Sequence, residues 1–176
     1  MRRGKTNRGH ITEFATALIV LICFIFIPII DMGFVPMRYW LANGTINDFT
    51  HRLSHCEKRT EAYDRLSTEI LWQKLLAACG VTVNDTTLKL IVCGNGAQEA
   101  KFDESQSLPP QWLPNGSNSP CVYSLELSTK IEVSPFFRIH IPLPLLDGPL
   151  TFNISSRSQW ENLACDPTTM EYYVNE

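Results

Sequence analysis

The chain has 176 residues, 15 basic and 18 acidic side chains, a formal net charge of −3 and 44% hydrophobic residues. That length leaves room for one folded domain beside a membrane segment. It excludes a basic nucleic-acid-binding fold, because the only basic excess is Arg2, Arg3, Lys5 and Arg8, four residues ahead of an apolar run.

The apolar run, Phe14 to Ile30, holds seventeen residues without a charge, with Glu13 before it and Asp31 after it. About 20 such residues cross a hydrocarbon core of roughly 30 Å, and the apolar character resumes through Met32, Phe34, Val35 and Met37 to Tyr39 and Trp40, an aromatic pair suited to a membrane interface. A cleaved secretory signal would have a shorter apolar core and a small-residue cleavage site, and no A-x-A pattern follows here. The segment therefore reads as a retained anchor. No acid occurs among the first ten residues, while the chain after Gly9 carries 11 bases and 18 acids. That asymmetry predicts a cytoplasmic N-terminus and an extracytoplasmic remainder. The expected divisions are a basic leader over 1–9, a transmembrane helix over 10–38 and an outer domain over 39–176.

Beyond Trp40 the helical period continues in Ile46, Phe49, Leu53 and Cys56, so the membrane helix is expected to run outward. A break is predicted near EKRTE. A second helix follows in Tyr63, Leu66, Ile70, Leu71, Leu75, Ala78 and Cys79, closed by Gly80 at the left-handed C′ position. LKLIVC reads as a strand running into a tight turn at GNG. The stretch FDESQSLPPQWLPNGSNSP, with four prolines, reads as a long exposed loop. In CVYSLELSTKIEVS the apolar residues alternate, the period of a half-buried strand. Phe137, Ile139 and Ile141 repeat the alternation, Asp147-Gly148 suits a reversal, and Leu150, Phe152 and Ile154 continue it. The fold class is then α+β: a long N-terminal transmembrane helix continuing into an outer domain with a small antiparallel sheet, covered on its apolar side by the amphipathic helix. The tail after Cys165 reads equally as a last strand or as irregular chain.

Cys23 lies inside the apolar run, whereas Cys56, Cys79, Cys93, Cys121 and Cys165 lie on the side taken to be oxidising. These five are candidates for at most two disulfides, with the pairing open, and no CxxC supports a zinc or redox site. His51 and His55 share a helix face, but two ligands do not complete a metal site and the glutamate of HExxH is missing, so they read as a solvated face near the membrane. His140 reads as a solvent-facing strand residue, and Asp103-Glu104 as a solvated pair. Neither GxSxG, GxxxxGK[ST] nor GxGxxG occurs. No enzyme activity, metal or cofactor is expected. Four triplets, at Asn43, Asn84, Asn115 and Asn153, fit the N-glycosylation acceptor and sustain an alternative: a signal-anchored single-span surface ectodomain that binds a ligand.

The N-terminal stretch resembles the TadE-like family, pilin-like proteins of the tight-adherence (Flp-type) pilus assembly systems. The matches are Gly9 as leader glycine with His10 after it, the triplet Glu13-Phe14-Ala15, Pro28 within the apolar run, and Asp31-Met32-Gly33 as the closing acid-x-Gly. They cover roughly the first forty residues. The resemblance implies a non-catalytic minor pilin or assembly component in the inner membrane. Its partners would be other pilin-like subunits, the membrane components of the pilus machine and the bilayer. It also implies that Gly9 and His10 are candidates for leader processing, and that Glu13 meets the N-terminal amine of a neighbouring subunit. On physical grounds Glu13 and Asp31 alternatively mark the two lipid boundaries, where a carboxylate costs less than at the bilayer centre.

Overall fold

The computed structural model describes residues 8–95, 99–136 and 148–176, with side chains from residue 12 onward. One long helix dominates it. Helix α1 (Arg8–Leu21) passes through a π-helical turn at Ile22–Phe26 into α2 (Ile27–Ser54). The wider turn falls just ahead of Pro28, which has no N–H to donate and whose ring would crowd the carbonyl four residues back. Within the turn the Ile27 N–H bonds to Ile22 O, the spacing of a π-helix.

The helix runs outward as its period predicts. Ala42, Ile46, Phe49 and Leu53 recur at three- and four-residue steps, and all four are buried in the domain core. The helix ends at Ser54, and Cys56–Lys58 form the predicted break.

Beyond the break, one expected helix is two: α3 (Arg59–Thr68) and α4 (Leu71–Ala78). The interruption at Glu69–Ile70 turns the second half about its axis. Trp72 and Leu76 therefore face the core, while Ile70, Leu71, Leu75 and Cys79, expected on the buried stripe, are exposed. Trp72 stacks on Phe49 of α2 with ring centroids 5.0 Å apart, so the larger aromatic surface takes the core position. Gly80 ends α4 as expected, at φ +79 with its N–H on Ala77 O at 3.0 Å.

Four antiparallel strands follow: β1 (Val81–Cys93), β2 (Glu99–Phe102), β3 (Val122–Val133) and β4 (Leu150–Gln159), in the order β2-β1-β3-β4. Strand β1 begins seven residues before LKLIVC. The turn-forming pair Asn84-Asp85 becomes a bulge between Asn84 and Thr87, with Asp85 at φ 47. Strand β2 carried no signal of its own, being four residues long with a single apolar pair. The register places Leu88, Leu90, Leu125, Leu127, Ile131, Phe152 and Ile154 on one face, and α2 and α4 cover it. The opposite face carries polar ladders such as Lys101–Glu126 at 3.1 Å and Arg157–Glu99 at 3.2 Å. The second strand pattern at Phe137, Ile139 and Ile141, with Arg138 and His140, the reversal at Asp147, the last glycine of GNG and residues 1–7 of the leader lie outside the described residues.

The Pro-rich stretch is anchored rather than wholly exposed. Leu108 and Trp112 are buried in the core, and the Tyr123 hydroxyl donates to Trp112 O at 2.8 Å. The buried Arg59 guanidinium donates to Gln106 O at 2.8 Å and to Asp103 O, gripping the start of the loop. The tail is also docked: Val174 is fully buried, Arg59 N–H donates to Tyr173 O at 3.1 Å and Thr60 N–H to Glu176 O at 2.9 Å. The tail thereby satisfies donors that the first turn of α3 cannot pair within the helix.

Candidate functional site

Between Thr12 and Ile30 no side chain of the long helix is buried among the described residues. Phe14, Ile19, Phe24 and Ile29 are each at least 59% exposed and point to different sides of the helix. A helix of a water-soluble domain shows one apolar stripe, whereas this one is apolar all round. Leaving a Leu, Ile or Phe side chain in water forgoes about 1.5–3 kcal/mol each, a cost removed by hydrocarbon. The helix is long and apolar enough to cross a membrane, with a mean hydropathy of 2.8 over its best 18 residues. Phe14–Ile30 measures about 25 Å along the axis at 1.5 Å per residue.

The junction with the domain lies at Asp31. Its side chain is 1% exposed and accepts a hydrogen bond from Phe136 N–H at 2.7 Å, tying the chain just after β3 to the helix. Phe34 stacks on Phe136 at 5.0 Å, and Arg38 donates to Ser134 O while lying 5.9 Å over the Phe136 ring. The Arg38 guanidinium also fills the space beside Gly80, where an added Cβ would stand 3.0 Å from Cζ. Packing on the domain thus begins at Asp31, inside the span expected to reach residue 38. Tyr39 turns inward onto Phe152 at 5.2 Å, whereas Trp40 is exposed. Sequence reasoning missed this clasp; its signal was an Asp and an Arg seven residues apart on one helix face.

The other residues singled out by sequence scatter. Gly9 and His10 lie on the helical backbone of α1, Glu13, Phe14 and Ala15 stand on its exposed surface, and Gly33 continues α2 with open space around its Cα. His51 and His55 lie at the outer end of α2, about 30 Å along the helix axis from Asp31 and so away from any bilayer around the apolar run. Asp103 pairs with Lys89 at 3.2 Å on the surface.

The expected disulfides are absent. Cys56, Cys79, Cys93, Cys121 and Cys165 are all free thiols, as is Cys23. Cys56 is buried at the end of α2, and that burial pushes its thiol pKa up. Cys79 is exposed beyond α4 and Cys165 is exposed in the tail. Cys93 and Cys121 come nearest in topology. Cys93 pairs in register with Val122 and meets Arg157 Nη2 at 3.2 Å on the polar face, whereas Cys121, one residue earlier, packs against the core side. Strand alternation sends the two side chains to opposite faces. Comparisons with protein-family models, with curated proteins and with solved structures returned no match.

Proposed function

We propose that this chain is a non-catalytic, TadE-like minor pilin or pilus-assembly component of a tight-adherence (Flp-type) system, anchored in the inner membrane with its N-terminus in the cytoplasm. The observation that carries the reading is a single helix, Thr12–Ser54, whose inner half is bare and apolar and whose outer half is the spine of a small α+β domain. On that helix stand Gly9, Glu13-Phe14-Ala15 and Asp31-Met32-Gly33 in the order the family likeness asks for. In this role the bare half packs against other pilin-like subunits and membrane components of the machine. The domain then presents its polar sheet face and the rim of the Pro-rich loop outside.

Deleting the gene in the host is expected to abolish surface pili, with the wild-type gene restoring them; normal piliation in the deletion strain would end this reading. N-terminal sequencing of the mature protein tests its processed form. Glu13 follows Gly9 by four residues, and a mature chain beginning at His10 would show that this spacing is cut, whereas Met1 would leave an unprocessed assembly factor.

A second reading, the signal-anchored surface ectodomain, is favoured by the exposure of Asn43 and Asn153, two of the four glycosylation triplets. The other two are poorly placed, since the Asn84 amide donates to Glu132 Oε1 at 3.0 Å and the Asn115 amide donates to the Tyr172 hydroxyl. An unchanged gel mobility after glycosidase treatment of native material would remove it.

A further inference from the structure

We propose that the membrane-facing foot of the domain is a phospholipid site, in which Arg38 takes a headgroup phosphate and the Phe34–Phe136 pair rests on the acyl chain beneath it. The site rests on the reading of the bare helix as a membrane span, and depth along that helix carries the argument. A hydrocarbon core of roughly 30 Å takes about 20 helical residues, so a core that begins at Phe14 ends near Phe34, beyond Asp31. A tilt of about 20° moves that end by about one residue. Asp31 can lie below this edge because the domain covers its carboxylate, which is 1% exposed and accepts the Phe136 N–H at 2.7 Å.

The uncovered side of α2 marks the same boundary independently. Met32, Met37, Trp40 and Leu41 are exposed and apolar, whereas the exposed residues that follow are Asn43, Gly44, Asn47 and Asp48. The surface turns polar just beyond Trp40, a residue type that gathers at headgroup level. Headgroups add roughly 5–8 Å on each side of the core, which carries the interface from Phe34 to about Tyr39.

Arg38 therefore stands at headgroup depth, one helical turn above Phe34. It is half-buried and already held in place: it donates through Nη1 to Ser134 O, lies 5.9 Å over the Phe136 ring and fills the space beside Gly80. No carboxylate among the described residues forms an ion pair with it. Its Nε and Nη2 have no acceptor among those residues and are not sealed from solvent. A planar guanidinium fixed in this way suits the oxygens of a phosphate, the anion that a phospholipid supplies at this depth. Below it the Phe34 and Phe136 rings stack at 5.0 Å, and both are exposed. At the hydrocarbon edge that aromatic surface is covered by acyl chain.

The test uses the full chain in vesicles of phosphatidylglycerol and phosphatidylethanolamine, with a benzophenone-bearing phenylalanine analogue in place of Phe136, Ile22 or Asp48. Irradiation is expected to join lipid to the chain from positions 136 and 22 and not from 48. Arg38→Gln is expected to lower the lipid adduct at 136 about fivefold, the worth of one basic residue at an anionic surface, and to leave that at 22 unchanged. With Arg38 intact, vesicles of an uncharged galactolipid carrying the same acyl chains are expected to give the same reduction. Lipid adducts at 22 but not at 136 would overturn the proposal and leave the span standing, whereas their absence at both positions would overturn the span too. A chain-to-chain adduct at 136 would give the foot to a second copy and overturn the proposal. Yields at 136 that ignore both Arg38 and the phosphate would overturn it as well.

Discussion

Asp31 and Arg59 are the charged residues that are buried among the described residues, and they act differently. Asp31 holds the backbone N–H of Phe136 from the helix. Replacing it with Ala leaves that amide without its acceptor, and a loss of about 1–3 kcal/mol is expected in urea denaturation of the micelle-bound protein. Arg59 serves two carbonyls of the Pro-rich loop and lies 5.7 Å from the Tyr63 ring, with its Nε making no hydrogen bond. Arg59→Met keeps the buried stem but abandons both acceptors. The expected cost is about 2–4 kcal/mol, accompanied by faster proteolysis between residues 103 and 112. Neither role was legible in the sequence. EKRTE reads as a solvated charge run, because nothing local distinguishes an arginine that will be covered by a loop some 45 residues later. The residues that were legible, Ile46, Phe49 and Leu53, are those whose burial follows from helical spacing alone.

At the scale of elements, the docked tail and α3 titrate together. Asp166 is held well below the usual carboxylate range, first by the Thr168 hydroxyl and backbone N–H and then by Lys58; Glu176 is lowered chiefly by Lys58 at 2.5 Å and by Thr169. Lys58 is raised in turn, mainly by Glu176. For carboxylates depressed in the folded state the stabilisation is present above the ordinary pKa, about 4, and is lost as pH falls through the folded values. Lys58 stays charged throughout that range. Amide exchange at Arg59 and Thr60 is therefore expected to lose protection progressively as pH falls below about 4, relative to the core of β3 and once intrinsic rates are corrected; equal protection would show that the tail is held by Val174 alone. Periodicity also decides what was readable here. β3 was plain because twelve residues alternate, and the long helix because its stripe persists. The split between α3 and α4 was hidden because Leu71 and Leu75 continue the apolar spacing of the preceding residues, and only competition with Trp72 for the core turns them outward. β2 and the tail depend on their partners and carry almost no pattern.

For the whole molecule, the division between bare helix and clothed helix is the main feature, and composition announced it. Ile22→Arg, at the middle of the apolar run, is expected to cost about 3 kcal/mol of membrane insertion. Alkaline extraction of membranes would read this as a large soluble fraction, whereas the same change at exposed Trp40 should leave the chain in the pellet. The position of the junction was not readable. The apolar letters run past Asp31 to Trp40, and only the fold reveals that Phe34, Val35 and Tyr39 spend their apolar surface on the domain.

Because the domain grips α2 from Asp31 to Ser54 without an intervening linker, span and domain share one shaft. A transmembrane helix commonly tilts by about 20°, and the gripped length is about 35 Å at 1.5 Å per residue. Such a lean would carry the outer end of the domain sideways by about 12 Å. Thickness or crowding of the bilayer around the buried half would thus aim the exposed half, as a tiller sets a rudder.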